Sequence, residues 1–188
     1  MARPKSDDKR SAIMLAATHA IVAQGLGAST ATIAKAAGIS NGSLFTYFET
    51  KAALYNQLYF ELKCEMGAAA LQGFSSRAPL RDQLEGLWTR WAYWAMAHPE
   101  ARRAMALLHV CDDVAPATHA ALRQEMAPVV TLLEQVRANG PMKDVSLAYI
   151  GSMMSALIDT TMDFMLQDRE NAGVHCKAGF EALWRMLN

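Results

Sequence analysis

The fold is decided by residues Thr30–Glu49, which run TATIAKAAGISNGSLFTYFE. Ser29 and Ser40 each stand directly before a short helical pattern, where a hydroxyl can accept from the first free backbone N–H groups. Two helices that cross steeply need a small residue in the first and a turn residue that tolerates positive φ. Ala34 and Gly38 meet these needs. The stretch therefore predicts a helix-turn-helix.

The apolar and polar positions of this stretch agree with that prediction. The residues expected to face inward are Ile33, Ala37, Ile39 and Leu44. The residues expected to face outward from the second helix are small or polar: Asn41, Gly42, Ser43 and Thr46. Such side chains can meet the edges of bases in a major groove. An ordinary helical hairpin with a glycine turn is the alternative.

The stretch Thr32–Lys51 resembles the signature of the TetR family of bacterial transcriptional regulators. The preceding helix, with Ile13, Ala17 and Gly25, resembles the first helix of that family, and the similarity extends over about Lys9–Leu58. The resemblance implies a homodimer with two heads that bind a palindromic double-stranded DNA operator in adjacent major grooves. It also implies a helical body that binds a small inducer.

Nine residues are expected at the DNA surface: Ser29, Ser40, Asn41, Gly42, Ser43, Phe45, Thr46, Tyr47 and Lys51. The capping serines stand at helix N-termini, which favour phosphate, while the phenol and the ammonium can donate to phosphate oxygens. An asparagine can pair with adenine, and a threonine methyl can contact the methyl of thymine.

Two positions depart from the family pattern. Family members often carry Lys or Arg where this chain has Asn41, and Tyr where it has Phe45. Both changes remove a phosphate contact, so we expect a modest salt dependence of DNA binding and a larger contribution from the N-terminal cations. Those cations are Arg3, Lys5, Lys9 and Arg10, for which solvated disorder is the alternative.

Composition limits the other classes of function. The chain has 188 residues, 52% of them hydrophobic, with 18 Lys and Arg against 18 Asp and Glu. The segment through Lys63 carries seven basic and four acidic residues, so a mildly basic head precedes a mildly acidic body. The longest apolar run is about ten residues, short of the roughly 20 that a membrane helix needs. Three scattered cysteines and no signal core favour a reduced cytoplasmic protein.

Helical periodicity continues to the C-terminus, which predicts an all-α chain of about nine helices. We expect a flexible tail over residues 1–8, a DNA-binding domain over residues 1–50, and a ligand-binding and dimerisation domain over residues 51–188. One long helix carrying Leu122 and Val136 is expected to kink at Pro128.

The last two helices are the expected dimer interface. Its candidate residues are Gly151, Ser155, Phe180, Leu183, Trp184 and Leu187. Packing within one subunit is the alternative. Large rings and methionines suit an adaptable apolar pocket for a hydrophobic or aromatic inducer, although such residues are also ordinary core. The candidate pocket residues are Trp88, Trp91, Met105, Met126, Met154 and Met162.

Other polar clusters carry weaker signals. Asp159 and Asp163 share a helix face and could bind a cation, pair with an arginine, or be solvated. The spacing of the cluster His109, Cys111, Asp112, Asp113 and His119 matches no usual zinc pattern. We expect no metal site, no cofactor and, without a catalytic motif, no enzyme.

The sequence thus favours a regulator, most simply a repressor released from its operator by the inducer. The operator, the inducer, the regulated genes and the choice between repression and activation are not determined by the sequence. The alternative function is a helical protein that binds small molecules without sequence-specific DNA binding.

Overall fold

The computed structural model describes residues 5–188, which form ten α-helices, two short 3-10 turns and no strands. The helices are α1 Lys5–Gln24, α2 Thr30–Ala36, α3 Asn41–Tyr47, α4 Lys51–Leu71, α5 Leu80–Ala97, α6 Pro99–His109, α7 Pro116–Glu125, α8 Ala127–Arg137, α9 Leu147–Gln167 and α10 Ala172–Leu187. The all-α prediction is confirmed. Because α1 begins at Lys5, the second half of the expected tail is helical, while Arg3 lies outside the described residues.

Side-chain caps begin the short helices where the sequence predicted them. The hydroxyl oxygen of Ser29 accepts from the backbone N–H of Thr32 at 3.1 Å, and that of Ser40 accepts from Ser43 at 3.1 Å. The hydroxyl of Thr50 accepts from the backbone N–H of a residue in the first turn of α4 at 3.0 Å. Each cap satisfies a backbone donor that has no partner inside its helix.

The helix expected around Pro128 is broken rather than kinked. Two helices, α7 and α8, meet at Met126, and Pro128 lies in the first turn of α8. A proline has no N–H and its ring clashes with the preceding turn, whereas the first turn of a helix needs no such donor. This break accounts for a tenth helix beyond the nine that we expected.

The chain forms two compact units. The first contains residues 5–64 and Pro99–Leu122, so α6 and most of α7 pack with the N-terminal helices rather than with the rest of the body. Within it α6 packs against α1, and its core includes Ile13, Ile21, Ile33, Leu44 and Leu54, each fully buried. The division into functional domains at residue 50 remains a prediction.

The second unit contains Glu65–His98 and Arg123–Asn188. Its core is a packing of α5, α8, α9 and α10, in which α10 lies along α9. Gly179 permits the closest approach, because a Cβ there would lie 2.3 Å from the hydroxyl oxygen of Thr161 and 2.9 Å from the ring of Trp88. None of the helices within residues 5–188 combines the length and hydropathy needed to cross a membrane.

Candidate nucleic-acid interface

The turn between α2 and α3 has the geometry that the sequence predicted. Gly38 adopts a φ of +69°, which an L side chain rarely tolerates, and Ala34 is buried at the crossing. Ile33 and Leu44 are fully buried beneath the turn, so the two helices share one apolar face. α2 and α3 therefore form a helix-turn-helix.

The opposite face of α3 is open to solvent. Six of the nine predicted DNA-binding residues are exposed and three are half-buried. The exposed ones are Ser29, Ser40, Asn41, Gly42, Phe45 and Thr46, and the half-buried ones are Ser43, Tyr47 and Lys51. Phe45 keeps 41% of its surface exposed, which is unusual for a phenylalanine in a folded unit. The recognition surface, meaning the exposed part of Asn41–Tyr47, thus includes an aromatic ring and no charge.

Several hydroxyls on this face already have partners. The Thr46 hydroxyl donates to the backbone oxygen of Ser43 at 2.7 Å. The hydroxyl oxygens of Ser40 and Ser43 lie 2.8 Å apart, and those of Ser29 and Thr32 lie 2.9 Å apart. These bonds hold the side chains in fixed rotamers and leave them fewer free donors for a ligand.

Lys51 and Tyr55 bind the connection between α1 and α2. The Lys51 ammonium donates to the backbone oxygen of Leu26 at 2.7 Å, and the Tyr55 hydroxyl donates to the same oxygen at 3.0 Å. Burial raises the pKa of Tyr55 to about 12, with smaller contributions from Cys111 and Asp113. One donor of Lys51 therefore holds α4 against the start of the helix-turn-helix.

The N-terminal cations are not all solvated. The Arg10 guanidinium pairs with the carboxylate of Glu61 on α4 and lies 5.8 Å from the centre of the Phe48 ring. Lys9 is exposed on α1. Arg10 therefore holds α1, α4 and the end of α3 together, so the alternative of solvated disorder does not apply to this residue.

Comparisons with known proteins agree with this geometry. The family model of bacterial regulatory proteins, tetR family, matches residues 13–58, which include the whole helix-turn-helix. A TetR family transcription regulator from Marinobacter aquaeolei VT8 is 25% identical, with 99% of this chain and 98% of that chain covered and a TM-score of 0.86. One from Shewanella sp. PV-4 is 27% identical, with coverages of 94% and 96% and a TM-score of 0.83.

Residues 13–58 of this chain thus match the tetR family model, and over nearly its whole length the chain is similar to two TetR family transcription regulators. The helix-turn-helix is the DNA-binding domain of a transcription regulator of this family. The fold is also shared by LfrR from Mycobacterium smegmatis, solved with proflavine. It is 15% identical, covers 94% of this chain and 95% of that chain, and has a TM-score of 0.66.

The first unit of this TetR-like chain contains a clamp, formed by Asn56, that the sequence did not predict. The Asn56 amide on α4 donates to the backbone oxygens of Ala52 at 2.8 Å and of Asp113 at 2.6 Å. Its oxygen accepts from the Ala115 backbone N–H at 2.8 Å and from the Thr118 hydroxyl at 2.5 Å. Asn56 therefore binds α4 to the start of α7. An isolated asparagine in an amphipathic helix gives no sequence signal of such a role.

Two of the histidines considered as metal ligands pack instead around Tyr59. The Tyr59 hydroxyl and His109 Nδ1 share a hydrogen bond of 2.9 Å, and the rings of Tyr59 and His119 meet edge to face at 5.4 Å. Burial raises the pKa of Tyr59 to about 12. Within residues 5–188, no three His, Cys, Asp or Glu side chains converge to hold a metal ion.

The predicted pocket residues do not all fall in one unit. Met105 is buried in the first unit, while Trp88, Trp91, Met126, Met154 and Met162 belong to the second. Trp88 is 1% exposed, and its indole N–H donates to the backbone oxygen of Cys176 at 3.0 Å, as in a well-packed core. A groove of about 380 Å³ in the first unit is lined by residues of α4 and α7, and none of the six predicted residues lines it.

The predicted dimer residues differ in their exposure within the subunit. Phe180, Leu183 and Leu187 are at most 1% exposed within the second unit, so they have no surface to offer a partner. Gly151, Ser155 and Trp184 are half-buried. The sequence showed that these faces are apolar, but α5 and α9 cover part of that apolar surface inside the subunit.

A different face of α9 and α10 points to solvent. On α9 it is a row of residues four apart: Ala148, Ser152, Ala156, Thr160 and Phe164. Large apolar side chains stand on this outer face, because Tyr149 is 57% exposed, Phe164 52% and Val174 65%. This outer face, defined by the exposed residues of α9 and α10, differs from the predicted set, and the dimer interface remains a prediction.

Proposed function

We propose that this chain is a homodimeric repressor that binds a palindromic operator and is released from it by a small hydrophobic or aromatic ligand. The observation that carries the proposal is the exposed, capped face of α3 on a rigid helix-turn-helix. In a two-fold dimer, the two recognition helices would enter major grooves about one turn of DNA apart, roughly 34–36 Å. A dimer bound over a promoter blocks transcription.

The outer face of α9 and α10 supports the homodimer. Three large apolar side chains more than half exposed on two adjacent helices form a surface that a soluble subunit normally covers. A two-fold axis would bring α9 and α10 of both subunits into a four-helix contact. Two linked heads then bind two half-sites with an avidity that neither head has alone.

Contacts inside the first unit support a coupling between ligand and DNA. His19 on α1 pairs with Glu100 on α6 at 2.9 Å, and Asn56 binds α4 to the start of α7. Helices of the predicted ligand-binding body are thus packed directly against α1 and α4 of the head. A ligand that favours another position of α6 and α7 would move these contacts and tilt α4. Release requires that the two states differ in their affinity for the ligand.

The DNA part of the proposal is tested by selection from a random double-stranded library, followed by titration of the selected site at two salt concentrations. A palindromic site and dimers by sedimentation are the expected results. The variant Phe164→Asp on the outer face should yield monomers and weaken operator binding by roughly 100-fold or more. Val110→Asp is the matched control, since Val110 is also largely exposed, at 74%, but belongs to the first unit and not to α9 or α10.

Failure to select any sequence would instead favour a helical protein that binds small molecules without sequence-specific DNA binding. Retention of dimers by Phe164→Asp would contradict the outer face as the interface.

The ligand part needs a concrete probe, and proflavine is suitable because the TetR-fold protein LfrR was solved with it. A probe that binds the DNA-free state more tightly should raise the midpoint of thermal unfolding and lower operator occupancy at the same concentrations. A planar aromatic compound that stabilises the protein and leaves operator affinity unchanged would contradict release by ligand.

A further inference from the structure

The recognition surface of α3 is electrically neutral. Its seven residues, NGSLFTY, include no Lys, Arg, Asp or Glu. The commonest specific contact with guanine is a bidentate bond from Arg or Lys, and contact with cytosine N4 usually uses a carboxylate. Neither type of contact can be made from a side chain of α3.

The hydroxyl of Thr46 is occupied within the helix. It donates to the backbone oxygen of Ser43 at 2.7 Å, so the hydroxyl faces the preceding turn of α3. With the hydroxyl held there, the methyl group of this exposed side chain is the part left for a base. A threonine methyl is suited to an apolar contact with the 5-methyl group of thymine.

Phe45 adds a second apolar group to the same surface. Its ring is 41% exposed on a short helix whose other large apolar residue, Leu44, is fully buried. A major groove that displays thymine methyls would bury the exposed part of this ring. Phe45 and Thr46 are both exposed on α3, so both side chains can reach the groove that this helix enters.

Asn41 supplies the hydrogen-bonding group. It is the first residue of α3, it is exposed, and within residues 5–188 its amide makes no hydrogen bond to another side chain. The N-terminal residues of a recognition helix are the ones that contact base edges. An asparagine amide can form two hydrogen bonds with adenine: its N–H donates to N7, and its oxygen accepts from the N6 amino group. Of the four bases, adenine alone offers this pair of groups in the major groove.

From these contacts we infer that α3 reads A·T pairs in each half-site: an adenine by Asn41 and thymine 5-methyl groups by Phe45 and Thr46, with no guanine contact from α3. This deepens the function proposed above and rests on it. The specificity is therefore carried by apolar contacts and one amide, while cations outside α3 contribute affinity for any sequence.

The test compares thymine with uracil at each position of the selected operator, because uracil lacks only the 5-methyl group. For the wild type we expect uracil at the contacted positions to weaken binding by roughly fourfold per methyl, from about 0.8 kcal/mol per buried carbon. The loss of affinity on replacing thymine by uracil should vanish in Phe45→Ala at the operator position that Phe45 contacts. In Thr46→Ser it should vanish at the operator position that Thr46 contacts.

Two matched variants separate the methyl of Thr46 from its hydroxyl. Thr46→Val keeps the methyl, so its operator affinity should stay within about twofold of the wild type. Thr46→Ser keeps only the hydroxyl, so its operator affinity should fall roughly fourfold. Asn41→Asp should change the preferred base at its position from adenine to cytosine, since a carboxylate accepts from cytosine N4. The midpoints of thermal unfolding of all variants identify any that fail to fold, and Phe45→Leu serves as a second, apolar variant at that position.

The outcomes distinguish this inference from the proposed function. A selected palindrome that has guanine at the α3 contacts, or that binds equally well with uracil, overturns the inference and leaves the function standing. Loss of binding in Thr46→Val with retention in Thr46→Ser overturns it too. Absence of any selected sequence overturns the proposed function itself.

Discussion

The clamp formed by Asn56 gives the sharpest prediction about the first unit. Its amide makes four hydrogen bonds, of which three join α4 to residues 113–118 and one is donated to the backbone oxygen of Ala52 within α4. Asn56→Ala removes all four. A hydrogen bond contributes about 0.5–1.5 kcal/mol net to the free energy of unfolding. The Asn56 side chain is half-buried, so in the variant water can bond to some of the groups that Asn56 leaves. We therefore expect a loss of about 2 kcal/mol in the free energy of unfolding.

For a chain of this length, that loss corresponds to a fall of about 4–8 °C in the midpoint of thermal unfolding. Gln57→Ala is the matched control on the adjacent residue. Its amide donates to Glu61 at 2.8 Å, a bond between residues four apart on a helix, worth about 0.2–0.5 kcal/mol. Urea denaturation of the two variants gives the comparison directly.

Hydrogen exchange provides a local measurement for the same prediction. The Ala115 backbone N–H donates to the Asn56 oxygen, so its protection should fall in Asn56→Ala and remain in Gln57→Ala. Equal urea midpoints for the two variants, or an unchanged Ala115 exchange rate, would refute the claim that this amide holds α7 to α4.

Three further results are expected. Gly179→Ala should lower the free energy of unfolding by about 1–3 kcal/mol, because its Cβ would lie 2.3–2.9 Å from side chains of α9 and α5. A Cβ at Gly151 would have nothing within 4 Å, so Gly151→Ala should raise the free energy of unfolding by up to about 1 kcal/mol. Equal shifts of the thermal midpoint in Gly151→Ala and Gly179→Ala would contradict the packing around Gly179. The hydrogen bond from His175 holds the pKa of Asp168 in the folded protein below its ordinary value of 3.8. The ionised carboxylate therefore stabilises the fold above pH 3.8, and this stabilisation is lost as the pH falls through the lower pKa of the folded state. Asp168→Asn should therefore lose less stability in acid than the wild type, and parallel acid-unfolding curves would count against the bond. Burial raises the pKa of Tyr59 from 10.0 to about 12. The neutral phenol therefore stabilises the fold fully below pH 10.0, and this stabilisation is lost as the pH rises through about 12. Tyr59→Phe should unfold less readily in alkali, and tyrosinate absorbance that is unchanged in this pH range would oppose the assignment.

Local sequence patterns were enough to predict the helix-turn-helix and its caps. Ser29 and Ser40 bond to N–H groups three residues away, and Gly38 sets one φ angle, so these features depend on a few neighbouring residues. Periodicity likewise identified the helices, because each turn repeats the same local hydrogen bonds. The family resemblance rested on this same local stretch, and the match over residues 13–58 confirms it.

Which apolar faces are covered depends on packing between segments far apart in the chain, so it could be seen only in the folded molecule. A stripe such as Phe180, Leu183 and Leu187 shows that a helix has an apolar side, but its burial depends on which helices pack there. The clamp of Asn56 joins residues 57–62 positions apart, and no local pattern specifies such a pairing. The Thr46 hydroxyl bond is local, yet composition does not reveal whether that hydroxyl turns to the backbone or to solvent. Packing and rotamers, which depend on the whole fold, decide what each surface presents to DNA or to a partner.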